Sequence, residues 1–97
     1  MIRHNVVFRL TADAGSPEEA AFLEGARTLA DIPSVRRFEL FREVTPGNDL
    51  TFAVSMEFDD LEGYRAYGVH PIHDAFSVNH GATMLDAKGF DFESLDP

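Results

Sequence analysis

Residues 67–76 read YGVHPIHDAF and set Tyr67 and His73 six positions apart around a proline. An imidazole gives and takes protons near neutrality, with an unperturbed pKa of about 6.5. A phenol can donate to an oxygen that becomes negative during a reaction. Asp91, in the closing stretch DAKGFDFES, is a carboxylate of the kind that fixes an imidazole's tautomer and steadies its cation. His4, in the opening stretch IRHNVVFRL, sits among Val6 and Phe8. The competing reading of such histidines is a hydrogen-bonded place in the core. A metal is a third reading, because His4, His70, His73 and His80 supply four imidazoles. Pro71 lies between His70 and His73, however, which makes His70 a helix N-cap or the residue before it, and no ligand signature is matched. No metal is expected.

The elements that must position these groups follow from periodicity. IRHNVVFRL alternates, with Ile2, His4, Val6, Phe8 and Leu10 on one face of a strand. Ser16, Pro17 and Glu19 open a helix as N-cap, first residue and capping-box acid, and Phe22, Leu23, Ala26, Leu29 and Ala30 form its apolar stripe. After the DIP break, VRRFELFREV predicts a strand with Phe38, Leu40 and Val44 inward. TPGND turns it into LTFAVSMEF, where Leu50, Phe52, Val54, Met56 and Phe58 share a face, so the two form a hairpin. Asp59 caps the next helix with Glu62 completing a capping box, and Leu61 and Tyr64 face inward. Pro71 opens a further helix with His73, Phe76, His80 and Met84 along one stripe, and Gly81 can end it. In the last strand Phe90 and Phe92 share one face, and Ala87, Gly89 and Asp91 the other. The small residues beside Asp91 leave room for a pocket, unless Phe22, Tyr64 or Phe76 fills it.

The order strand, helix, strand, strand, helix, helix, strand is the ferredoxin-like α+β pattern: a four-stranded antiparallel sheet with helices on one face. No repeat or linker interrupts residues 1–97, which read as one domain. Val7, Phe41, Phe90 and Phe92 on the other face call for cover, which the sheet of a second copy supplies. A net charge of −9 argues against nucleic acid and anionic membranes as partners and favours an apolar small molecule. The absence of cysteine removes disulfides and thiol chemistry. With only three consecutive apolar residues near the start, neither a signal peptide nor a membrane span is read there, and a cytoplasmic location is expected.

The stretches IRHNVVFRL, IPSV, FAVSMEFDDLEGYRAYGVHPIHDAF and the closing DFE resemble the stress-responsive A/B barrel (Dabb) family over nearly the whole chain, most specifically in the block ending HPxH. The resemblance implies a ferredoxin-like homodimer whose two sheets close into a dimeric α/β barrel. It also implies two functions, because the family holds plant stress proteins of no known catalysis and a plant polyketide cyclase. That cyclase carries out an aldol condensation with a histidine base, an aligned tyrosine and no cofactor. By position the base falls on His73, the tyrosine on Tyr67, a supporting aspartate on Asp91 and an auxiliary histidine on His4. Val6, Phe8, Phe22, Val54, Met56, Leu61, Tyr64 and Phe76 become pocket walls. Gly25 and Gly89 stand where the cyclase has larger side chains, which implies a differently shaped pocket. The expected activity is cofactor-free acid/base chemistry on an apolar, polyketide-like carbonyl compound, with Asp91 orienting His73. The alternatives are a non-catalytic stress-response or ligand-binding dimer and, on a related barrel, an oxygenase.

Overall fold

A computed structural model describes residues 1–96. Its elements are β1 (Ile2–Leu10), α1 (Pro17–Arg27), β2 (Arg36–Arg42), β3 (Phe52–Phe58), α2 (Leu61–Gly68), α3 (Pro71–His80) and β4 (Met84–Glu93), with single 3-10 turns at Thr28–Asp31 and Gly81–Thr83. The strands form one antiparallel sheet in the order β2-β3-β1-β4, the ferredoxin-like arrangement.

Alternation in the two central strands builds the core. Phe52, Val54, Met56 and Phe58 are all buried on β3, each separated by a less buried residue. Phe8 of β1 joins them, and Phe22, Ala26, Leu29, Ile32 and Tyr67 close over them from the helical layer. Met56 and Phe58 expose none of their surface, and each such side chain contributes roughly 2–3 kcal/mol through burial alone. The hairpin of β2 and β3 forms as its turn chemistry requires. Near its start β2 is irregular, with Arg37 at φ 50° where the register to β3 shifts.

Caps set the helix starts, with two departures from expectation. The Ser16 hydroxyl accepts from the Glu19 amide at 3.1 Å, but the Glu19 carboxylate accepts from Gly15 N–H at 3.4 Å, not from Ser16. The cap of α2 is Asp60, which accepts from Gly63 N–H at 2.9 Å, not Asp59. That shift of one residue makes Leu61 the first helical residue and Gly63, not Glu62, the third. Leu61 accordingly lies half exposed instead of on the inner stripe, and Glu62 is not placed to complete a box. His70 caps α3, its Nδ1 accepting from Ile72 N–H at 3.1 Å ahead of Pro71. Val44 lies past the end of β2 and is exposed, and Ala30 is exposed in the 3-10 turn.

The helices cover one sheet face. On the other, the pairings of Phe41 and Val7 with Ala53 and of Phe90 with Asn5 align an apolar strip that crosses the sheet. Phe41, Phe90 and Phe92 there are 47%, 46% and 56% exposed. No helix among the described residues is long and apolar enough to cross a membrane.

Candidate active site

A cavity of about 170 Å3 lies between the sheet and the helices. β1 contributes His4, Val6 and Phe8, β3 Val54, α1 Phe22 and Ala26, α2 Tyr67, and α3 His73, Phe76 and Ser77, with Leu29 and Met84 completing it. The walls are largely apolar, and His4, Tyr67 and His73 bring polar atoms to the same space.

Tyr67 stands between the two imidazoles. Its ring centroid is 4.8 Å from that of His73, edge to face, and 5.8 Å from that of His4. Burial, and secondarily the neighbouring Tyr64, pushes its phenol up to about 12, so it is a neutral hydrogen-bond donor at ordinary pH. Among the described residues its hydroxyl has no side-chain hydrogen bond.

Asp91 is where the expectation and the structure part. Its carboxylate meets His4 Nδ1 at 2.5 Å and receives the Tyr64 hydroxyl at 3.1 Å; it does not pair with His73. The reason is the register. The order β2-β3-β1-β4 makes β1 and β4 neighbours, and Asp91 lies directly opposite His4. Because a carboxylate accepts, Nδ1 of His4 is the donor in this contact, and in the neutral ring Nε2 is then the nitrogen without a proton. The His4 side chain is 12% exposed and that of Asp91 47%, so the imidazole lines the cavity while the carboxylate touches water. His73 has no carboxylate bonded to it among the described residues.

Five expected wall residues, Val6, Phe8, Phe22, Val54 and Phe76, line the cavity. Three do not. Met56 is sealed in the core. Leu61 and Tyr64 instead line a separate outer depression of about 430 Å3, together with Met1, Ile2, Asp91 and Phe92. Ala26, Leu29, Ser77 and Met84 line the cavity as well. Ala26 and Leu29 lie on the apolar stripe of the first helical pattern and Ser77 is one helical turn after His73, so their spacing carries the signal; Met84, expected on the His73 stripe, is instead the first residue of β4, because α3 ends at His80.

The two glycines of the expected pocket, Gly25 and Gly89, behave differently. Nothing lies within 4 Å of a Cβ built at Gly89, but Gly89 and Ala87 are exposed and do not line the cavity, so the room expected beside Asp91 opens to solvent instead of forming a pocket. At Gly25 the room is taken by the His80 imidazole, which also packs against Phe22 and Phe76 at centroid distances of 5.8 and 5.5 Å.

The Stress responsive A/B Barrel Domain (Dabb) family matches residues 2–94. The chain belongs to this family. Among solved structures, a Dabb family protein with a ferredoxin-like fold from Mesorhizobium loti is 36% identical, with TM-score 0.91 over 98% of this chain and 97% of that one. A dimeric ferredoxin-like protein of unknown function from Thermobifida fusca is 28% identical, with TM-score 0.78 over 96% of this chain and 90% of that one. The hydroxynitrile lyase from Passiflora edulis shares the fold at 13% identity, with TM-score 0.83 over 99% of this chain and 96% of that one. No curated protein matches this Dabb chain.

Proposed function

We propose that this Dabb protein is a homodimeric, cofactor-independent catalyst of proton transfer on a small apolar carbonyl compound, of the polyketide-like class, in an aldol-type cyclisation or a related step. The observation that carries the reading is the convergence of His73, the neutral Tyr67 phenol and His4 on one largely apolar cavity. A carbonyl compound in that space has its carbon chain against Val6, Phe22, Val54 and Phe76. His73 takes the proton from the carbon next to the carbonyl, the C–H electron pair becomes the enolate, and Tyr67 donates a hydrogen bond to the enolate oxygen. His4 is the second imidazole within reach. Asp91 steadies the charge on His4 when that ring binds a proton. The dimeric description of the Thermobifida fusca relative and the exposed strip of Phe41, Val7, Phe90 and Phe92 support pairing through the outer sheet face.

The test is exchange of the methyl protons of acetophenone in D2O, followed by NMR. Acceleration by the protein, reduced about 10²- to 10⁴-fold in His73→Ala, is the expected result. Equal rates with the wild type and His73→Ala overturn it. If acetophenone raises the melting temperature without any exchange, the chain is the alternative, a non-catalytic ligand-binding dimer.

A further inference from the structure

Tyr64 is a tyrosine one helical turn before Tyr67, yet it does not reach the cavity. Its ring packs edge to face against Phe58 and against His4, with centroid distances of 5.4 Å in both cases. Its hydroxyl ends on the Asp91 oxygen that His4 does not use. Tyr64 and Asp91 both face the outer depression, and His4 faces the inner cavity. The wall between the two spaces is therefore a chain of three polar groups: the Tyr64 hydroxyl donates to Asp91, and Asp91 accepts from His4.

We propose that Tyr64 is a positioning residue of the catalytic site: it holds Asp91 against His4 Nδ1 and so keeps His4 in the single tautomer that offers Nε2 to the cavity. A carboxylate half in water has many partners besides an imidazole, and nothing in β4 itself locks the Asp91 side chain. Tyr64 supplies the lock. Its ring is held by Phe58 and His4, so its hydroxyl is directed before any bond forms, and the second oxygen of Asp91 has one fixed donor. With Asp91 so held, His4 cannot exchange its two ring nitrogens without breaking the Asp91 contact. Without Tyr64, the carboxylate turns to water in the outer depression and both His4 tautomers become accessible. The effect on turnover rests on the proton-transfer reading above, whereas the tautomer is a property of the protein alone.

That separation defines the experiment. Ring 15N shifts of 15N-histidine-labelled protein report the His4 tautomer with no substrate present. The wild type is expected to show protonated Nδ1 and bare Nε2, and Tyr64→Phe, which keeps the ring and removes only the hydroxyl, a mixture of tautomers. Asp91→Ala, at a position already in water, is expected to give the same mixture. A wild-type His4 that lacks the Nδ1–H tautomer, or a Tyr64→Phe or Asp91→Ala protein that retains it undiluted, overturns the proposal; Tyr64→Leu replaces Tyr64→Phe should the latter not fold. With acetophenone, Tyr64→Phe is expected to lower the exchange rate at unchanged KM by a smaller factor than His73→Ala does, because Tyr64 acts through His4, the second imidazole, and His73 is the base. Failure of the ketone to exchange in the wild type counts against the catalytic reading only, because the tautomer is read independently.

Discussion

The His80 imidazole occupies the space left by the missing side chain of Gly25, so that a Cβ added to Gly25 would collide with Nε2, Cδ2 and Cε1 of that ring. The helices α1 and α3 are thereby brought into direct contact at this point. Replacing glycine by alanine inside a helix ordinarily stabilises by about 1 kcal/mol. Here the same change must displace a ring held between Phe22 and Phe76, and overpacking of this kind costs about 1–3 kcal/mol. The expected outcome for Gly25→Ala is a net loss of about 1 kcal/mol in urea unfolding. In the His80→Ala background the sign reverses, and adding Gly25→Ala stabilises by about 1 kcal/mol.

Tyr67 gives the fold a characteristic response to alkaline pH. Its phenol titrates at 10.0 when unperturbed and at about 12 in the folded chain, so the folded state holds its proton after the unfolded state has released it. Its contribution is complete below pH 10 and is lost as the pH rises through the folded value. A difference of that size corresponds to about 3 kcal/mol across the interval. The urea midpoint is expected to fall between pH 10 and 12, and in Tyr67→Phe the portion of the fall due to this group disappears.

His70 tests the entry to α3. With its Nδ1 accepting from Ile72 N–H, His70→Ala is expected to destabilise by about 1 kcal/mol, as measured by thermal unfolding. Asn at the same position offers an oxygen to the same amide and is expected to restore most of the loss. If His70→Ala and His70→Asn unfold alike, the imidazole is not acting as a cap.

Phe90 tests the sheet face away from the helices. Phe90→Asp places a charge at the β4 end of the apolar strip while leaving the helical side untouched. Sedimentation is expected to report a species of twice the chain mass for the wild type and a single chain for Phe90→Asp, with unchanged far-UV circular dichroism. A wild-type monomer would remove the sheet-to-sheet barrel.

How much of this was legible in the sequence varies with the range of the interaction. The strict alternation from Phe52 to Phe58 marked β3 and its buried face, because one residue is enough to invert a strand's faces. The His70-Pro71 start of α3 was equally local. At Asp59-Asp60, two identical residues offered two caps, and the choice depended on how the chain leaves β3; Leu61 was misplaced with it. The partner of Asp91 was the least accessible. Face assignment put His4, His73 and Asp91 on one side of the sheet, but only the cross-strand register separates a neighbour on β1 from a residue on α3. The ferredoxin-like strand order already contained that answer, since it makes the first and last strands adjacent. The filled space at Gly25 depends on the packing of one helix on another and left no trace in periodicity.

The helix that carries His73, Phe76 and Ser77 has no fully buried residue, whereas α1 buries Glu19, Phe22 and Ala26 and α2 buries Tyr67. Elements with few buried contacts open at the lowest free energy. Of the helices around the cavity, α3 is the one with the fewest fully buried side chains, and its hold on α1 rests heavily on the His80 ring seated at Gly25. The wall that carries His73, Phe76 and Ser77 is thus set by one interhelical contact, and the volume of the cavity beside His73 is tied to whether residue 25 has a side chain.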